Sequence, residues 1–225
     1  MKRIIYLITL FFMMGNSLSA NFFYAQGPKE KKAIALTFDD GPGPWTTPIL
    51  DILDKEGVKG TFFMNGDQVA MRPKIAKMVQ EKGHAIGDHT YSHMNFYAYE
   101  KKNGLEKTKE KISEEIEKSK SILEKVLGKK ITLCRMPHGY NKLWLEELSK
   151  KFNYTFINWT FGEDWQPVSQ EKMAQEYIQQ IKPGAILLFH DGGKNRKKTQ
   201  LSLPAIIQAA KNKGYQIVTV SELLK

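Results

Sequence analysis

"AIALTFDDGPGP", residues 33–44, runs six apolar or β-favouring residues into Asp39 and Asp40 and then into Gly41, Pro42, Gly43 and Pro44. An apolar run this short, bounded by turn residues, reads as a buried strand. Aspartates often close strands and open turns, so the acidic pair has an ordinary structural reading. Adjacent carboxylates nevertheless repel. Keeping both ionised calls for a cation nearby, either an arginine or a metal ion.

The same kind of run recurs outward along the chain: "GTFFMN" (60–65), "HAIGD" (84–88), "ITLCR" (131–135), "YTFINWT" (154–160), "GAILLFH" (184–190) and "YQIVTV" (215–220). Between them lie segments with helical periodicity, such as "TTPILDILDKEG" (46–57) and "RPKIAKMVQEKG" (72–83), each closed by a glycine suited to end a helix. Repeated βα units predict an α/β fold with about seven parallel strands, as a distorted (β/α) barrel or, alternatively, an open doubly wound sheet. Residues 101–130 are rich in Lys and Glu. Leu105, Ile112, Ile116, Leu123 and Leu127 still recur near helical spacing, predicting an outer helix with one packed face.

At 225 residues and 41% hydrophobic, the chain can bury one large core. Residues 1–20 have Lys2 and Arg3, an apolar stretch and a small-residue end at Ala20, the layout of a secretory signal, with an uncleaved anchor as the alternative. Residues 21–31 read as a short N-terminal segment and 32–225 as the folded domain. Nothing after the signal is apolar enough to span a bilayer. An exported or cell-envelope location follows, and oligomeric state does not. The net charge of +10 favours anionic polymers, yet no nucleic-acid motif accompanies it, so nucleic acid is not an expected partner. Cys134 is the only cysteine, so no internal disulfide forms and metal ligands must be His and carboxylate.

Polar residues gather at or just past the predicted strand ends: Asp39 and Asp40, His89 and His93, Arg135, Asp164, then His190 and Asp191. In a βα barrel those ends open on one face, where active sites are built. The i, i+4 spacing in "HTYSH" would point both imidazoles the same way on a helical turn, toward one metal ion. With a carboxylate from another strand they form a His, His, Asp set. His84 precedes its strand and is expected to be structural. Trp144 and Trp159 read as packing residues, while Trp45 and Tyr140 are weaker candidates for stacking on sugars.

"TFDDGP", "HTYSH", "RMPHGY", "GEDW" and "LLFHD", in this order, resemble the motifs of the polysaccharide deacetylases, carbohydrate esterases with the NodB homology domain. The resemblance implies that Asp40, His89 and His93 hold one divalent metal ion, zinc ahead of cobalt, nickel or manganese. It implies Asp39 as general base, paired with Arg135, which would orient it and keep its pKa low enough for ionisation. His190 would be general acid, tuned by Asp164. Leu188 would line an acetyl pocket, Trp165 would flank the substrate, and the backbone N–H of His138 would face the oxyanion. His138 stands where many members carry tyrosine, so the substrate groove is expected to differ there.

The implied activity is removal of N-acetyl groups from glycans such as peptidoglycan or chitin-like oligosaccharides. Alternatives are an O-acetyl esterase of the same family acting on xylan, a catalytically silent glycan binder and a glycoside hydrolase. The last uses carboxylates about 5 to 9.5 Å apart across a sugar and leaves the two histidines without a role.

Overall fold

The computed structural model describes residues 22–225; the expected signal, residues 1–20, lies outside them. The described residues form eight strands: β1 (Phe23–Tyr24), β2 (Ala33–Gly41), β3 (Thr61–Met64), β4 (Ala85–Asp88), β5 (Leu133–Cys134), β6 (Thr155–Ile157), β7 (Ile186–His190) and β8 (Gln216–Val218). Every pairing is parallel, in the order β1-β6-β5-β4-β3-β2-β7, with β8 alongside β2. This is the α/β architecture expected from the alternating pattern. The sheet is not closed by a continuous ladder. Just past β6, Phe161 makes an isolated parallel bridge to Leu187 of β7, which brings the two flanks together. Phe23 and Tyr24 pair with Phe156 and Ile157, so the sheet includes residues upstream of Lys32.

Period-two alternation explains how one strand serves two cores. Ile34, Leu36 and Phe38 pack in the large cluster between the sheet and the helices. Ala33 and Ala35 face the other way, into a smaller cluster with Phe63, Leu133, Ile157 and Ile186. Val220 and Leu223, from the short C-terminal helix Val220–Leu223, pack into the same cluster. Continuing the inner face of β2 upward gives Thr37 and then Asp39. The sheet interior is therefore apolar at one end and polar at the other.

The two helices expected at 46–57 and 72–83 form as Thr46–Lys55 and Pro73–Glu81, each followed by a left-handed glycine, Gly57 (φ 63°) and Gly83 (φ 79°). The charged region differs from expectation. It divides into Phe96–Asn103 and Leu105–Leu127. Ile112, Ile116, Leu123 and Leu127 are buried as the periodicity requires, whereas Leu105 lies in the first turn after the break and is exposed.

Candidate metal centre and catalytic cavity

A bulge between Asp39 and Gly41 interrupts the pairing of β2 with β3, and Asp40 takes φ 72°. A regular strand would turn adjacent side chains to opposite faces. The bulge instead lets Asp39 and Asp40 line one cavity of about 440 Å³. Gly192 passes close behind this turn, where a Cβ would overlap the Asp40 backbone carbonyl.

His89 and His93 line the same cavity, but no helical turn carries them. That expectation is corrected: residues 89–93 form a loop in which Thr90 (φ 65°) and His93 (φ 55°) are left-handed, and the two rings lie 5.0 Å apart. Asp88 anchors the loop at its start, accepting from Thr90 N at 2.8 Å, Ser119 Oγ at 2.6 Å and Tyr154 Oη at 2.7 Å. Glu115 anchors it near its end, accepting from Ser92 N at 2.8 Å. Ser119 and Glu115 belong to the helix Leu105–Leu127, whose role thus extends beyond packing. Their mid-helix positions within a Lys/Glu-rich stretch gave no sequence signal.

One ligand atom from each of Asp40, His89 and His93 lies within 4.8 Å of the others. His93 Nε2 is 3.2 Å and His89 Nε2 3.6 Å from Asp40 Oδ1. Neither contact has hydrogen-bond geometry, and Asp40 Oδ1 is buried without a partner among the described residues. Burial pushes the His89 pKa down to about 3, so this ring is neutral near pH 7. His89 Nδ1 lies 2.6 Å from the Arg135 carbonyl oxygen, which fixes Nδ1 as the protonated nitrogen and turns the Nε2 lone pair to the cluster. An acceptor-rich set with an orphaned oxygen fits a divalent cation.

Arg135 follows directly after β5 and is fully buried. Its Nη1 donates to Asp39 Oδ1 at 2.7 Å and to Thr37 Oγ1 at 2.8 Å. Its Nε donates to the Ile157 carbonyl at 3.2 Å and Nη2 to that of Asn158 at 3.1 Å, while the guanidinium lies 4.1 Å over the Phe63 ring. Asp39 Oδ2 lies 3.6 Å from His89 Nε2, at the edge of the metal-ligand cluster. Burial raises the Asp39 pKa above its ordinary value, against the pull of Arg135. The guanidinium opposes that rise, as expected of a partner that favours the ionised carboxylate, while desolvation is the larger influence.

On the neighbouring strand β7, His190 Nδ1 lies 2.7 Å from Asp164 Oδ1. Asp164 Oδ2 also accepts from His190 N at 2.9 Å and from Thr199 Oγ1 at 2.7 Å. Burial alone would lower the His190 pKa, but the bond to Asp164 and its charge prevail and raise it. Burial is the largest single influence on Asp164 and works to raise it, but the bond to His190, the charge of His190, the bond from Thr199 and the charge of Arg196 together leave it lowered. Tyr177 supports this strand, donating from its hydroxyl to the Leu188 carbonyl and accepting from Glu163 N at 2.9 Å. Thr199 and Tyr177 were not singled out in the sequence, because each acts across a long chain separation.

Leu188, Met136 and Trp159 give the cavity its apolar wall, so Trp159 is a lining residue as well as a packing one. Trp165 is 48% exposed at the rim and meets His190 edge-on, with centroids 5.4 Å apart. His138 (φ 56°) is exposed at the rim beside His93, at 4.8 Å. Tyr140 does not face the cavity. It is buried, with its hydroxyl on Glu100, so it is not placed to stack on a sugar, and Trp45 is half-buried against the core. His84 is buried away from the cavity, its Nδ1 accepting from Gly60 N at 3.0 Å.

A family model described as polysaccharide deacetylase matches residues 26–157. A peptidoglycan-N-acetylglucosamine deacetylase of Bacillus cereus is 37% identical over 202 residues, covering 88% of this chain and 91% of that relative. Among solved structures, the Bc1960 peptidoglycan N-acetylglucosamine deacetylase superimposes with a TM-score of 0.83 at 30% identity, covering 91% of this chain and 93% of the other. BA3943 of Bacillus anthracis, described as a CE4 family pseudoenzyme, superimposes with a TM-score of 0.80 at 27% identity, covering 90% and 69%.

Proposed function

The chain belongs to the polysaccharide deacetylase family, and from that membership and the cavity's chemistry we propose that it is a divalent-metal-dependent hydrolase of N-acetyl groups on glycans. Peptidoglycan is the leading substrate class. The observation that carries this reading is the placement of two differently tuned proton carriers, Asp39 on Arg135 and His190 on Asp164, in one cavity with an acceptor-rich cluster.

Asp40, His89 and His93 would hold the cation, which when bound supplies a Lewis acid for an amide carbonyl and a water. Asp39 takes the proton from the attacking water through Oδ2, while Oδ1 stays on Arg135. A carboxyl raised by burial is a stronger base than an ordinary aspartate, which suits proton abstraction near neutral pH. The new C–O bond gives a tetrahedral carbon. The backbone N–H of His138, at the cavity rim, is the proposed donor to its oxyanion. Collapse expels an amine, which needs a proton. His190 delivers it from Nε2, since Nδ1 is engaged by Asp164. The C–N bond breaks to give acetate and a free amino sugar. Leu188 would face the acetyl methyl group and Trp165 the sugar.

An acetate-release assay on peptidoglycan, chitooligosaccharides and acetylated xylan, each with defined metals, tests this reading. Release from the first two, abolished by a chelator and restored by Zn²⁺ or another divalent ion, is the expected result. Release from xylan alone would favour the O-acetyl esterase. Binding without release, with Asp39→Asn indistinguishable from the parent, would favour the silent binder, a reading kept in view by the pseudoenzyme among the structural relatives.

A further inference from the structure

The two carboxylate oxygens of Asp40 have unlike surroundings. Oδ1 faces the imidazoles, 3.2 Å from His93 Nε2 and 3.6 Å from His89 Nε2, and is buried without a hydrogen-bond partner among the described residues. The charged neighbour of Oδ2 is Arg196, whose Nη2 stands 3.7 Å away. Arg196 lies five residues beyond "LLFHD" and belongs to none of the motifs quoted above. Its side chain is only 12% exposed, and one bond aims the guanidinium, Nε donating to the Gly192 carbonyl at 2.9 Å. Gly193 (φ 73°) borders the gap between the two charges: a Cβ there would lie 3.5 Å from Arg196 Nη2 and 3.7 Å from Asp40 Oδ2.

A fixed cation this close to a cation site needs a reason. A guanidinium beside a metal ion repels it and so weakens its binding. A carboxylate left to itself can grip a divalent ion through both oxygens. Each oxygen that the protein adds, however, fills a position that a water or an amide carbonyl needs in metal-assisted hydrolysis. With Oδ2 held in the field of Arg196, Oδ1 alone is left for the ion.

We propose that Arg196 is a positioning residue that restricts Asp40 to a single ligand oxygen and so keeps a coordination position open for the reactants. This role rests on the reading of Asp40, His89 and His93 as the metal site and extends that site to a residue outside the ligand set. The charge of Arg196 is also among those that draw the Asp164 pKa down against burial. Action through the Asp164–His190 pair is therefore the rival account, and it leaves the ion's surroundings unchanged.

Water-proton relaxation of the Mn²⁺-loaded protein tests this role, because relaxivity rises with the number of exchangeable waters on the ion. Two neutral variants, Arg196→Gln and Arg196→Met, guard against a folding defect in either one. Both should lose the relaxivity of one water, displaced by Oδ2. Both should also bind Mn²⁺ no more weakly than the parent, since a repelling charge has gone. Acetate release should fall about 10- to 100-fold, the usual cost of disturbing a group that orients a metal ligand. Arg196→Lys keeps the charge without the planar fork and should recover part of the relaxivity and of the activity. Parental relaxivity in the neutral variants would overturn the proposal. So would weaker Mn²⁺ binding, which would mark Arg196 as support for the loop alone. An alkaline limb of kcat that moves while relaxivity does not would assign Arg196 to Asp164 instead. A parent that takes up no Mn²⁺ would sink the metal-site reading and this role with it. The expected relaxivity change without acetate release from the parent would sink only the deacetylase reading.

Discussion

Asp39 and His190 are register partners on the adjacent parallel strands β2 and β7. Register partners present their side chains to the same face, so the proposed base and acid stand side by side at the polar end of the sheet interior. Their environments push them apart in function: Asp39 meets a guanidinium, His190 a carboxylate.

Asp39→Asn removes the base while preserving shape and most hydrogen-bonding capacity. Acetate release should fall by about 10² to 10⁴, the usual worth of general base catalysis. Metal content, measured by mass spectrometry, should stay near that of the parent, because Asp39 lies outside the ligand set. Turnover at the parental rate would remove Asp39 from the mechanism.

Asp164→Asn should shift the pH profile. Asp164 is the group that raises His190 against burial. Without it the pKa of His190 falls, so the protonated acid is lost at lower pH. The alkaline limb of kcat should move to lower pH, with the acidic limb less affected. An unmoved alkaline limb would show that another group donates the proton.

His89→Ala should abolish metal retention, since it leaves an acid and one imidazole. In the parent, metal at a hundredfold excess over its Kd should stabilise the fold by about 2.7 kcal/mol, seen as a rise in Tm on titrating zinc into chelator-treated protein. In the variant that rise should vanish. An equal Tm response in both proteins would place the ion elsewhere.

Arg135→Met strands the buried Asp39 carboxylate. Breaking a buried ion pair from one side costs about 3 to 5 kcal/mol, which urea unfolding would register. The Asp39 pKa, already raised, should climb further. A raised folded-state pKa means stability present at low pH and lost as pH rises through it, so the variant's deficit should widen with pH. A deficit that narrows with increasing pH would contradict the pairing.

His84 makes an opposite contribution. Burial holds its pKa at about 4, below the 6.5 of an ordinary histidine. The folded state keeps the ring neutral, so its contribution is intact above about pH 6.5 and is lost as pH falls toward 4. Buried Asp88, raised to about 6, and Asp191, raised to about 7, act in the other direction, so the measurement must be a difference. Between pH 7.5 and about pH 5, His84→Gln should lose less stability in urea than the parent. Equal losses would mean that His84 does not titrate within the fold.

The chain's local patterns were enough for the strand-helix alternation. Ile34, Leu36 and Phe38, or Leu187 and Phe189, are apolar runs whose burial needs no knowledge of partners. The same runs placed Asp39, Asp40, His89, Arg135 and His190 at strand ends, hence on one face. Phe23–Tyr24 was not legible as a strand, because two residues carry no periodicity and their pairing with Phe156 and Ile157 is supplied by a distant segment.

Sequence alone thus determined which residue types stand at which strand ends, because side-chain period and turn chemistry are properties of neighbours along the chain. Tertiary structure decided the rest. A bulge turns Asp40 beside Asp39, Ser119 and Glu115 hold a left-handed histidine loop that spacing alone reads as a helix, and burial outweighs Arg135 in setting Asp39. These depend on contacts between segments far apart in sequence and on the exclusion of water around them, quantities that appear only when the sheet is assembled.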